Sequence, residues 1–434
     1  MDVRDQHSAN HPVMNLPPSL TTNRFGPSPP AHTSLPGMPG PQRGGHGPPP
    51  MGPPAGHGGP PPMMGPPPGM MNPFAAAGPE TLEQFGMRIT QTVTGGFLML
   101  SMAMGHQTGL FDKLASFEGD PKTSQEIADE TGLKERYVRE WLGAMVTGRI
   151  VNATEDGKKF FLPPHRALFL NTPGLGLELL ILASALPMQS KVFNQIRECF
   201  DKDGPRGVSY DNYQEFHHFM NRISLVFWER DLLKTFIPSI PGLTDMLESG
   251  ASCLDVGCGE GGLSILLAQR FPKSSFRGLD IISAAINDAK TVAAAKHTEN
   301  VTFDVMDAHE MPDDWEGRFN YIVCWDSLHD MAKVDVVLKK IHHVLAPGGI
   351  FSVLEVNAHS DCTKNMDNPF ASTFYTNSLF HCMTVSMASE GGMGLGNMWG
   401  RENTTKTLES YGFKVEDCSV PDGWFNVHYL CRKK

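Results

Sequence analysis

The chain has 434 residues, a formal net charge of −11 and eight cysteines, a length that predicts two or three folded units rather than one. The acidic balance disfavours nonspecific adhesion to nucleic acid or anionic lipid. The cysteines show no C-x-x-C pair and no Cys/His ligand rhythm, so neither a disulfide framework nor a metal site is expected.

Of 35 prolines, 22 fall in residues 1 to 79, within runs such as GPPPMGPPAGHGGPPPMMGPPPGMM that lack the apolar content of a packed interior. This tail is expected to be disordered or locally polyproline II, a soluble extension with a second reading as a ligand for SH3-type or WW-type domains. The opening MDVRDQHSAN lacks the apolar core of a signal peptide, and no apolar run approaches the ~20 residues that span a bilayer. LGLELLILASALP, residues 175 to 187, is too short and contains Glu178. A soluble, cytoplasmic protein without a membrane partner is therefore expected.

Residues 80 to 170 form the next predicted unit. TLEQFGMRITQTVTGGFLMLSMAMGHQTGLF is apolar, Met-rich and helical in spacing, and it is expected to pack. KTSQEIADETGLKERYVREWLGAMVTGRIV then shows a helix, a turn at Gly132, a second helix carrying Val138, Trp141, Leu142 and Met145, and an extended end, a pattern resembling a winged helix-turn-helix. From Thr123 to Ala153 four basic residues face five acidic ones. DNA recognition needs a basic footprint, so a packing unit that makes a homodimer is the expectation and DNA binding is disfavoured.

Residues 171 to 249 read as a helical connector or substrate cap. Tyr210, Tyr213, Phe216, Phe219 and Trp228 could line an apolar chamber, although aromatics at helical spacing are more often core.

From 250 to 434 strands and helices alternate: SCLDV, GLSILLAQRF, FRGLDI, AAINDAKTVAAAK, VTFDVM, FNYIVCW, VDVVLKKIHHVL and GIFSVLEV. That rhythm predicts an α/β, Rossmann-like sheet whose ligands bind at the carboxyl ends of the strands. Asp255, Asp280, Asp307, Asp326 and Glu355 fall at or just after such ends. The loop DVGCGEGG satisfies G-x-G-x-x-G with Gly257, Gly259 and Gly262, and Asp280 follows Gly259 by 21 positions, where an acid accepts from ribose hydroxyls. A nicotinamide dehydrogenase shares both features, but Asp255 beside the loop would repel a pyrophosphate and attract a ligand carrying an ammonium and a sulfonium.

With LDVGCGEGG, GLDI, DVMDAHEMP, YIVCWDSLHD and VLAPGGIF in order, residues 250 to 434 resemble the class I S-adenosylmethionine-dependent methyltransferases, with a seven-stranded sheet ending in the antiparallel pair GFKVEDCSV and WFNVHYLCRK. The resemblance assigns Gly257, Cys258 and Gly259 to the methionine moiety, Asp255 to its ammonium through water, Asp280 and Ile281 to ribose and adenine, Asp307 and Ala308 to the adenine edge, and Cys324 with Trp325 to the wall near the sulfonium. SLHD also resembles the motif of plant and bacterial small-molecule O-methyltransferases, which implies His329 as the general base and Glu355 as the acid orienting it. Met331 replaces the usual tryptophan, and Glu402 falls late for a second orienting acid. FHCMTVSMASEGGMGLGNMWGRE is similar to a bacterial and animal group with winged-helix N-termini. The expected function is methyl transfer from S-adenosylmethionine to a small molecule, with a hydroxyl as one acceptor. The alternative is a catalytically weak or inactive cofactor-binding scaffold using the winged helix and the proline-rich tail. Glycines 391 to 396 suggest a lid, and His342 and His343 a helix away from the pocket.

Overall fold

The computed structural model describes residues 72–73, 78–417 and 425–434. The expected tail, with its SH3-type or WW-type partner, lies almost entirely outside the described residues.

Helix α1, Leu82–Gln107, begins at Thr81 with a reciprocal capping box to Gln84, which satisfies two of the amide donors orphaned at a helix start. Gly95 and Gly96 do not break it. Its packing differs from expectation, since only Ala103 and Gly105 are buried while Leu82, Met87, Phe97 and Met104 lie in the open. The winged unit follows, with α2 (Ser124–Thr131) capped by Thr123 and ended by Gly132 at φ 67°, and α3 (Glu135–Thr147) burying Val138, Trp141, Leu142 and Met145. Strands β1 (Lys122–Thr123), β2 (Asn152–Ala153) and β3 (Lys159–Phe161) form a small antiparallel sheet in the order β1-β3-β2. Helix α4, Phe216–Phe227, runs into a π-helical stretch, Trp228–Phe236, that packs on the large domain.

The large sheet contains β4 (Ser252–Val256), β5 (Ser275–Asp280), β6 (Val301–Val305), β7 (Phe319–Trp325), β8 (Leu345–Val356), β9 (Phe413–Asp417) and β10 (Asn426–Lys433) in the order β6-β5-β4-β7-β8-β10-β9. The first five pair parallel, and β10 is antiparallel to both neighbours. Helices α5 (Gly262–Arg270), α6 (Ser283–Ala295), α7 (Val334–Val344) and α8 (Gly400–Ser410) cover the sheet. Successive side chains of a strand point to opposite faces: Tyr321 and Val323 join the core under α5 and α6, while Ile322 and Cys324 join the core under α7. The chain crosses from β6 back to β7, on the far side of β4, so the carboxyl ends of β4 and β7 flank a topological switch point, where such sheets open a crevice. Among the described residues no helix is long and apolar enough to cross a membrane.

Candidate functional site

A cavity of about 550 Å³ opens at that switch point, lined by the loop after β4, the ends of β5 and β7, and α4. The loop turns tightly because the amides of Gly257 and Cys258 both donate to the Leu279 carbonyl, at 2.8 and 2.9 Å. Gly257 has φ 77°, and a Cβ there would meet the Ser327 Cβ at 2.5 Å, so only glycine fits. Asp280 fastens the loop from the next strand, accepting from the Gly259 amide at 2.9 Å and from the Ile282 amide at 2.8 Å. Each carboxylate oxygen keeps a second lone pair, and Asp280 lines the cavity beside Ile281. Burial raises its pKa above the ordinary value.

Gly257, Cys258, Gly259, Asp280, Ile281, Asp307, Ala308 and Trp325 all line the cavity. Asp307 caps a short turn by accepting from the His309 amide at 3.1 Å. Trp325 is wedged among the rings of Phe227, Trp228 and Phe236, with centroids 5.0 to 5.7 Å away.

Two expected cofactor residues stand elsewhere. Asp255 is buried behind the loop and outside the cavity lining, where it accepts from the Ser264 hydroxyl of α5 at 2.8 Å and ties strand to helix; burial pushes its pKa up to about 7. Cys324 belongs, by the two-residue period of β7, to the core under α7, so Trp325 alone forms the expected wall.

The expected base also lies deeper than the cavity wall. His329 is buried at 3 % exposure, with Nδ1 against the Glu355 carboxylate and Nε2 3.3 Å from Asp330. Burial alone would lower its pKa, but the charges of Glu355 and Asp330 reverse that and hold it well above the ordinary value. Asp330 is the member of this chain that reaches the cavity, and it accepts from the Tyr210 hydroxyl, another lining group, at 3.0 Å. Behind Tyr210 the His381 ring stacks on Phe216, and burial brings its pKa down to about 4. Asp326, in the left-handed region at φ 47°, lines the cavity and accepts from Asn426 at 2.6 Å; burial pushes it up to about 7.

Sequence reasoning missed Asp330, although it adjoins His329 in the same motif, and it held Tyr210 only as one aromatic among several. Of those aromatics Tyr210, Phe216 and Trp228 line the cavity, and Tyr213 is core. The expected lid at 391 to 396 does not line the cavity, which Ser389 and Glu390 just before it do, and it is tied down by the Met393 amide, which donates to the Ala332 carbonyl at 3.0 Å. His343 bonds the Asp313 carbonyl and His342 packs on Phe413, both away from the cavity.

The lining carries Asp211, Glu260, Asp280, Asp307, Asp326, Asp330 and Glu390 against Lys333. Such a wall attracts a cationic ligand and repels a pyrophosphate, which disfavours a dinucleotide on the glycine loop.

Comparison with known proteins agrees with this geometry. Residues 96–172 match the family model of the Rv2258c-like winged HTH domain, and residues 247–410 match that of a methyltransferase domain. The chain therefore joins a winged-helix domain to a class I methyltransferase domain, and S-adenosylmethionine is the cofactor of that domain. A fatty-acid O-methyltransferase of Mycolicibacterium smegmatis is 26 % identical over 162 residues, 37 % of this chain and 52 % of that protein. The chain thus spans about half the length of the curated relatives it matches. In fold, it resembles human N-acetylserotonin methyltransferase in complex with SAM, with TM-score 0.58, 15 % identity, and 83 % and 99 % of the two chains covered. PigF with SAH gives TM-score 0.60, 17 % identity, and 82 % and 100 % covered.

Proposed function

We propose that the protein transfers a methyl group from S-adenosylmethionine to a small-molecule acceptor at a hydroxyl. The observation that carries this reading is one cavity lined by a glycine loop fastened to a strand-end acid on one side and by Tyr210 and Asp330 on the other, with His329 and Glu355 buried behind Asp330. Gly257, Cys258 and Gly259 hold the methionine end, Asp280 the ribose, and Ile281, Asp307 and Ala308 the adenine, with Trp325 beside the sulfonium. The cofactor supplies an electrophilic methyl on a positively charged sulfur.

This chain's own residues position the acceptor, exclude water and take its proton. Asp330 is the group that meets the acceptor hydroxyl, and its carboxylate receives the proton. Tyr210 orients that carboxylate by donating to it, and His329, held by Glu355, contacts it from behind. The cap helices and the winged unit join two copies into a dimer through the exposed apolar face of α1. Residues 171–249 serve as the substrate cap, and residues 80–170 as the dimerisation unit.

The cofactor is tested by mass spectrometry of ligand released from freshly purified protein: S-adenosylmethionine or S-adenosylhomocysteine is expected, and a nicotinamide dinucleotide refutes the assignment. The proton path is tested once an acceptor is in hand. Asp330→Asn is expected to lower turnover by about 10² to 10⁴-fold, the usual contribution of a positioned base, with cofactor affinity unchanged, and His329→Gln by less. Normal turnover in Asp330→Asn with collapse in His329→Gln would return the base to the imidazole. Normal turnover in both would point to an acceptor already nucleophilic at neutral pH, such as a thiolate.

A further inference from the structure

A second cluster, separate from the Asp330 chain, stands at the rim of the cavity, with His217 and Glu260 in its lining. His217 and His218 open α4, Glu260 belongs to the glycine loop, and Asp288 lies on α6. One ligand atom from each falls within 4.8 Å of the other three. His217 Nε2 stands 3.7 Å from an Asp288 oxygen, and His218 Nδ1 touches Glu260. The His217 nitrogen is buried and makes no hydrogen bond, an arrangement that costs free energy unless something meets it.

We propose that His217, His218, Glu260 and Asp288 bind one divalent transition-metal ion of the zinc class, fastening the cap helix α4 to the glycine loop and to α6. The donor set fits that ion. Two neutral imidazoles and two carboxylates balance its charge, and imidazole with carboxylate suits zinc, whereas the thiolates that would select softer ions are missing from the cluster. Metal bonds of about 2.0 to 2.2 Å in a tetrahedron place neighbouring donors about 3.5 Å apart, close to the His217–Asp288 separation already present. Four protein donors close the coordination sphere and leave no position for a reacting water, so the ion acts as a clamp. The competing occupant of Glu260 is a cationic group of the cofactor itself.

The full-length protein, stripped with a chelator, is titrated with cobalt(II) and then zinc(II), with and without S-adenosylhomocysteine. The expected result is one equivalent of cobalt with the visible absorption of tetrahedral coordination, displaced by zinc, and a melting temperature raised by zinc through binding to the native state. Asp288→Asn, at a half-exposed position, and His217→Ala are each expected to weaken metal binding by roughly 10- to 100-fold or more. Cys382→Ser is the control for the other grouping of potential ligands, His329, Asp330 and Cys382, and is expected to change nothing in the titration. The proposal is overturned by the lack of a tetrahedral signal, by a signal that survives Asp288→Asn and His217→Ala while both variants still bind S-adenosylhomocysteine, by loss of the signal in Cys382→Ser, or by release of the metal when S-adenosylhomocysteine binds. None of these outcomes bears on whether the protein methylates an acceptor, so the two readings stand or fall separately.

Discussion

Asp280 shows how one carboxylate serves both fold and ligand. Its two oxygens accept from the Gly259 and Ile282 amides, and the residue lines the cavity where ribose hydroxyls are expected. In Asp280→Ala the hydrogen bonds to a charged acceptor are lost, at about 1.5 to 3 kcal/mol each, so S-adenosylhomocysteine affinity should fall roughly ten-fold or more. Calorimetry checks this, and unchanged affinity would remove Asp280 from the site. His329 makes a different prediction, about stability. Its folded pKa lies above the ordinary 6.5 because Glu355 and Asp330 outweigh burial, so the native state holds a proton that the unfolded chain releases. Stability is then complete below pH ~6.5 and falls as pH rises towards the folded value, by up to about 1.4 kcal/mol per pH unit. Thermal melting of wild type should decline across that window while His329→Gln stays flatter; parallel curves would show that no such proton is held.

At the scale of elements, the two-residue and 3.6-residue periods made the sheet and its helices legible from the sequence, and the glycine spacing with its distant acid located the loop. The same two-residue period places Cys324 and Trp325 on opposite faces, so Cys324 was readable as core, but the resemblance to a family wall residue overrode the pattern. The bond from Ser264 of the following helix to the Asp255 carboxylate is announced by nothing local in the sequence. Contacts between remote segments are the part no spacing reveals. Tyr210 and Asp330 are 120 positions apart, and His217 and Asp288 come from helices on either side of the glycine loop, a donor set that cysteine spacing does not reveal. The loop offers the sharpest element-scale test. Gly257→Ala puts a methyl 2.5 Å from the Ser327 Cβ at φ 77°, and a non-glycine residue forced there costs about 1 to 3 kcal/mol. The loop must shift, so both the melting temperature and the cofactor affinity should drop. Retention of both would mean that the turn relaxes without disturbing the site.

For the whole molecule the unresolved demand is α1. A 26-residue helix buries only Ala103 and Gly105, and Leu82 at 88 %, Phe97 at 70 % and Met87 at 59 % exposure leave an apolar face that a soluble monomer rarely carries. The end of α1 is anchored, since Trp141 of α3 donates to the Ser101 carbonyl at 2.8 Å and Gly105 admits the indole where a Cβ would clash at 2.4 Å. The helix is therefore held by its C-terminal third and presents the remainder outward, the arrangement a symmetric partner covers by pairing the same face with itself. A dimer in light scattering at micromolar concentration is expected. The double variant Phe97→Glu, Met87→Glu, at two exposed positions that contribute little to the monomer's own core, should shift the protein to monomer, because a carboxylate buried without a partner is costly. Cofactor affinity should survive, since the cavity draws its lining from α4 and the large sheet. A monomeric wild type, or a variant that stays dimeric, would assign the face of α1 to a different occupant.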